Sequence, residues 1–164
     1  MVSSRRNFLD DTMTTAALSI TAAAVTNIAT PQPAYAKETI EITPQTVTAA
    51  FDAIRSELTS PTGVVTTLSN LIDTGSFEDI LQYTKESDAY FRKAKMGKAR
   101  KLLTDKDVKS NATLICNAVT FDLIGINRAS RPGKENREDQ LRYLDELRKD
   151  VEKFLELEST IVFE

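Results

Sequence analysis

The sequence predicts an all-α protein, an up-down-up-down four-helix bundle whose first helix is broken near Pro61. Three observations carry this expectation. Apolar residues recur at helical spacing in four separate stretches. All five prolines (Pro31, Pro33, Pro44, Pro61 and Pro132) stand at plausible element boundaries. No window shows the strict alternation of a strand except the tail, Ile161-Val162-Phe163.

Residues 1–36 read as an address. Ser4-Arg5-Arg6-Asn7-Phe8-Leu9 is a paired-arginine head, followed from Thr12 to Ala29 by a weakly apolar stretch rich in Ala and Thr. Pro31 and Pro33 precede Ala34-Tyr35-Ala36, a small-x-small cleavage site. A charged head, a moderately apolar middle and an A-x-A end make a cleavable export signal. The arginine pair followed by Phe8-Leu9 points to the twin-arginine route. The stretch is too polar and too short for a span of about 20 apolar residues. Cleavage after Ala36 leaves residues 37–164 as the folded domain, with Lys37 at its start.

That domain opens at Thr43-Pro44, an N-cap followed by proline at the first helical position. Val47, Ala50, Phe51, Ile54 and Leu58 make its first stripe. Ser60-Pro61 repeats the cap-and-proline signal, and Val64, Val65, Leu68, Leu71 and Ile72 continue the stripe to Gly75. Ser76 is expected to cap the next helix, with Asp79 in the capping-box position. Phe77, Ile80, Leu81, Thr84, Phe91 and Ala94 follow one face, and the helix extends to about Leu103, loosened at Gly97. Thr104-Asp105 opens a third helix with Val108, Ala112, Ile115, Val119 and Ile126 inward, closed by Asn127-Arg128. Residues 129–135 form the clearest loop. The last helix runs from about Asn136 to Glu158, with Leu141, Leu144, Leu147, Val151, Phe154 and Leu155 inward. Leu144 in its stripe and Phe121 beside the third one are expected to be buried.

Composition argues against catalysis. The chain has 164 residues and no histidine, which removes the usual general base, nitrogen metal ligand and haem ligand together. Di-iron bundles that need Glu-x-x-His, and every Ser-His or Cys-His arrangement, are excluded. No glycine-rich phosphate loop is present, and the one cysteine, Cys116, can form no intramolecular disulfide. Its apolar neighbours mark a buried thiol. The protein is therefore expected to be no enzyme and to bind no cofactor directly. With 21 Lys and Arg against 24 Asp and Glu the net charge is −3. Removing the leader takes away Arg5, Arg6, Asp10 and Asp11 and leaves that value unchanged. Such a chain has no general affinity for nucleic acid.

One segment stands apart. Between Arg92 and Lys101 lie six basic residues, Arg92, Lys93, Lys95, Lys98, Arg100 and Lys101, and no acidic one. A solvated helix end, favoured by the negative C-terminal dipole, accounts for Arg100 and Lys101. The functional reading of all six is electrostatic docking onto an acidic partner.

Three stretches carry a resemblance: Phe77-Glu78-Asp79-Ile80-Leu81-Gln82-Tyr83-Thr84-Lys85, Arg92 through Leu103, and Asn117-Ala118-Val119-Thr120-Phe121-Asp122-Leu123-Ile124-Gly125-Ile126-Asn127-Arg128. Ser130-Arg131-Pro132-Gly133 and Tyr143-Leu144-Asp145-Glu146-Leu147 extend it, so that it covers about residues 51–158. The chain resembles the PsbQ-like family of extrinsic photosystem II subunits, in the red-algal and diatom group (PsbQ-prime or the further Q-like diatom subunit). The resemblance implies a four-helix bundle in the chloroplast thylakoid lumen, peripheral on the lumenal side of the membrane. Its partners would be the intrinsic and extrinsic lumenal proteins of photosystem II. It would stabilise the oxygen-evolving complex and its calcium and chloride retention without ligating the ions. The alternative is an exported helical-bundle carrier or chaperone for a small ligand or unfolded client, which would need an apolar cavity.

Overall fold

A computed structural model describes residues 41–163. The leader read at 1–36, its cleavage site and the start at Lys37 lie outside them. Every regular element among the described residues is helical, without a strand. Four helical rods are built from α1 (Pro44–Thr59) and α2 (Val64–Thr74); α3 (Phe77–Ser87), a π-helical stretch (Asp88–Met96) and α4 (Gly97–Leu102); α5 (Lys106–Arg128); and α6 (Arg137–Glu156). A 3₁₀ turn, Leu157–Thr160, succeeds α6, so the last α-helix stops two residues before the expected Glu158.

The start of α1 obeys the sequence logic. The Thr43 hydroxyl accepts from the Thr46 N–H at 3.2 Å, the Thr43 N–H donates to Thr46 Oγ1 at 2.9 Å, and Pro44 takes the first turn. Two expected caps are different. Ser60 ends α1, with its N–H donating to Ser56 O, and does not cap α2. The cap of α2 comes instead from Glu57, whose Oε2 accepts from the Val64 N–H at 2.9 Å. Ser76 precedes α3 without capping it, because its hydroxyl is engaged with Thr74 Oγ1 at 2.9 Å. The turn is closed by Gly75, whose φ of 67° is the left-handed conformation a helix end asks of glycine. Asp105 caps α5 with two 2.8 Å bonds, and Asn136 caps α6 at 3.1 Å.

Loosening in the second rod lies in the Asp88–Met96 stretch rather than at Gly97. The backbone stays right-handed helical at both junctions, so the rod is unbroken. Its buried positions run Ile80, Thr84, Ser87, Phe91 and then Met96, Ala99 and Leu102. The step of five between Phe91 and Met96 is the widened turn of an i→i+5 ladder. A pure α-helix would bring Ala94 inward, but Ala94 is exposed.

The core joins all four rods. Phe51, Phe91 and Phe154 are fully buried, and the rings of Phe51 and Phe154 stack at 5.9 Å. Burying each such side chain contributes about 1.5–3 kcal/mol. Leu144, Leu147, Val151 and Phe154 face inward as expected. Leu141 and Phe77 do not, and Phe121 is 68% exposed, so it lies outside the core. The reason is geometric: Phe121 comes two residues after the inward-facing Val119, about 200° around the helix. In the tail Ile161 joins the core, while Val162 and Phe163 are exposed.

Candidate docking surface

The six basic residues from Arg92 to Lys101 are dispersed by the rod that carries them. Arg92 grips Asp88 through Nε at 2.9 Å and a terminal guanidinium nitrogen at 3.1 Å, and Lys93 adds a contact at 3.3 Å. Thr120 from α5 donates to the same carboxylate at 3.0 Å. Burial raises the Asp88 pKa, but the bonds from Arg92, Thr120 and Lys93 outweigh it and hold the carboxyl below its ordinary range. Lys95 turns the other way and pairs with Glu57 of α1. Arg100 donates to Thr113 Oγ1 at 2.9 Å. Lys98 and Lys101 are exposed and form no ion pair among the described residues.

Part of the basic segment borders a groove between the second rod and α5. One end is a hollow of about 340 Å³ lined by Arg100, Lys101, Lys106, Lys109, Ser110 and Thr113. Sharing Arg100 and Thr113 with it, a hollow of about 140 Å³ adds Arg92, Lys93 and Asn117, with buried Cys116 at its floor. Beyond the Asp88–Arg92 pair a third hollow, about 300 Å³, is lined by Lys85, Asp88, Thr120, Ile124, Asn127 and Arg131, among others. Asn127 bridges the walls there, donating to Leu81 O at 3.0 Å and Thr84 Oγ1 at 2.8 Å. Thus Arg92, Lys93, Arg100 and Lys101 line the groove, while Lys95 and Lys98 do not.

Two acidic residues that sequence reasoning passed over sit inside the fold. Glu57, 6% exposed, carries the Lys95 pair and the α2 cap on one carboxylate. Asp122, 5% exposed, leaves Oδ2 without a partner. Burial pushes its carboxyl up to about 7, helped by the charges of Asp150 and Glu146 and opposed by Lys153. Both could have been found by helical spacing, since Glu57 comes three residues after Ile54 and Asp122 three after Val119 on inward faces.

Cys116 is a buried free thiol, as expected, and burial pushes its pKa up against the pull of Arg100 and Arg92. A protonated, enclosed thiol is inert. Among the described residues no group of Cys, Asp and Glu side chains is placed to hold a metal ion, and no helix is long and apolar enough to cross a membrane. Comparison of the chain with known families, with curated proteins and with solved structures gives no match.

Proposed function

We propose that this protein is a non-enzymatic extrinsic subunit of photosystem II, docked on the lumenal side of the thylakoid membrane. In this reading it stabilises the oxygen-evolving complex and its retention of calcium and chloride. The four rods are then an up-down-up-down bundle, and residues 1–36 deliver it to the lumen. The observation that carries the reading is where the family-like stretches fall. Phe77–Lys85, Arg92–Leu103 and Asn117–Arg128 each contribute lining residues to the basic groove, in a chain that is acidic overall. A charged face of this kind raises the association rate with an acidic surface and sets its orientation. A rigid bundle seated over a water-exposed ion site slows escape of small ions by coverage alone.

The carrier or chaperone reading would call for an apolar cavity, whereas Phe51, Phe91, Phe154 and Met96 occupy the interior, each fully buried. Thylakoid fractionation tests the proposal. The protein should co-purify with oxygen-evolving particles, leave them on a salt wash and rebind on dilution. Recovery only in particle-free soluble fractions would overturn it. N-terminal sequencing of the native protein should read from Lys37.

A further inference from the structure

We infer that the groove between the second rod and α5 is the seat of an extended acidic polypeptide segment, held lengthwise rather than at one point. The inference rests on the docking reading above and names the chemistry of the segment that docks. Eight of the chain's 21 Lys and Arg line the three hollows, against one of its 24 Asp and Glu, Asp88. That one carboxylate is already covered by Arg92, Lys93 and Thr120. The cations stand at intervals along the groove: Lys85 and Arg131 at one end, Arg92 and Lys93 in the middle, and Arg100, Lys101, Lys106 and Lys109 at the other.

From Lys85 to Lys101 the rod rises about 24 Å at 1.5 Å per residue. An extended chain covers that distance in about seven residues at 3.3–3.6 Å each. Between the charges, the Asn117 amide offers hydrogen bonds to a backbone, the Ser110 and Thr120 hydroxyls can still accept while donating within the fold, and Leu123 and Ile124 offer apolar contact. Single-stranded nucleic acid would want aromatic faces for its bases, and no aromatic side chain lines the three hollows. A flat anionic bilayer would meet the rims of a groove and leave its floor unfilled. Positive charge at both ends and in the middle, with polar side chains between, fits a strand-like acidic segment best.

The test uses the full chain and a fluorescent peptide of about eight residues alternating Glu and Ala, with the Gln-for-Glu peptide as reference. The acidic peptide should bind and the Gln peptide should not, with affinity falling about tenfold between low and physiological ionic strength. The triple variant Lys101→Glu, Lys106→Glu, Lys109→Glu changes exposed or half-exposed side chains that form no ion pair among the described residues. It should weaken peptide binding by about tenfold or more. A control of equal charge change on exposed α6 residues that line none of the hollows, Arg148→Glu, Lys149→Glu, Lys153→Glu, should stay within about twofold.

Equal losses in both triples would overturn the groove, since net charge alone would explain them. So would tighter binding of oligothymidylate, or of phosphatidylcholine vesicles containing about a third phosphatidylglycerol. Rebinding to salt-stripped photosystem II separates the two proposals. Peptide capture without rebinding would remove the subunit role and keep the groove. Rebinding that the groove triple leaves intact would keep the subunit role and remove the groove.

Discussion

Lys95 reaches across 38 residues of chain to pair with the carboxylate of Glu57, while the other oxygen of Glu57 holds the Val64 N–H at 2.9 Å. One side chain thus ties the α1–α2 break to the π-helical stretch. Lys95 is 34% exposed and Glu57 is buried, so the pair is a fastening of the fold and not a free docking charge. Glu57→Ala should cost about 2–4 kcal/mol, because it orphans both a buried N–H and a half-buried ammonium. Glu57→Gln, whose amide oxygen still accepts from Val64, should cost less. Lys95→Glu should lower stability rather than only weaken docking. Urea melts of the three variants check the order.

Asp122 makes stability depend on pH. Its folded carboxyl is pushed up to about 7, whereas an unfolded Asp releases its proton near 3.9. Between those values the folded chain holds a proton that the unfolded chain has lost, so stability falls as pH rises from about 4 through about 7. Asp122→Asn should remove that slope. At about pH 8 its melting temperature should exceed the parent's by on the order of 5 °C, with the difference vanishing near pH 4.

Gly125 of α5 lies directly against the Tyr143 ring of α6. A Cβ added there would lie 2.5 Å from Cγ and Cδ1 of the Tyr143 ring, the rooted part of a side chain already covered by Arg142 at 4.1 Å. Gly→Ala inside a helix ordinarily gains about 1 kcal/mol. Here it should lose about 1–3 kcal/mol through overpacking. Adding Tyr143→Ala should erase most of that loss, and a double-mutant cycle of thermal melts measures the coupling.

Leu144 and Phe121 should separate cleanly. Leu144 is 4% exposed and Phe121 is 68% exposed. Leu144→Ala should cost about 2–5 kcal/mol. Phe121→Ala should change stability by under about 0.5 kcal/mol. Denaturation of the two variants side by side decides it.

The helices themselves were legible because their stripes, prolines and caps agree, as at Thr43-Pro44 and Asp105. Caps failed where a competing acceptor was out of sight: Glu57 replaces Ser60 from seven residues before Val64. Inward faces failed in two ways. Phe77 and Leu141 lie in the first residues of their helices and stay partly exposed, and Ala94 was carried outward by a turn of unusual width. The basic cluster was visible as composition, but its partition was not. Separating Lys95 from Arg100 requires knowing which rod each side chain faces. Bringing Lys85, Lys106, Lys109 and Arg131 beside them depends on packing between elements distant in sequence.

The π-helical stretch carries a consequence for chain length. Phe91 and Met96 are five apart where every other step in that stripe is three or four. The rod therefore contains one residue more than a regular helix would need to join the same two halves. Deleting the exposed Ala94 would shorten the step to four and return Met96, Ala99 and Leu102 to an ordinary α-helical face. The extra residue is accommodated by widening a turn rather than by breaking the helix, and Lys95, within that turn, pairs with Glu57.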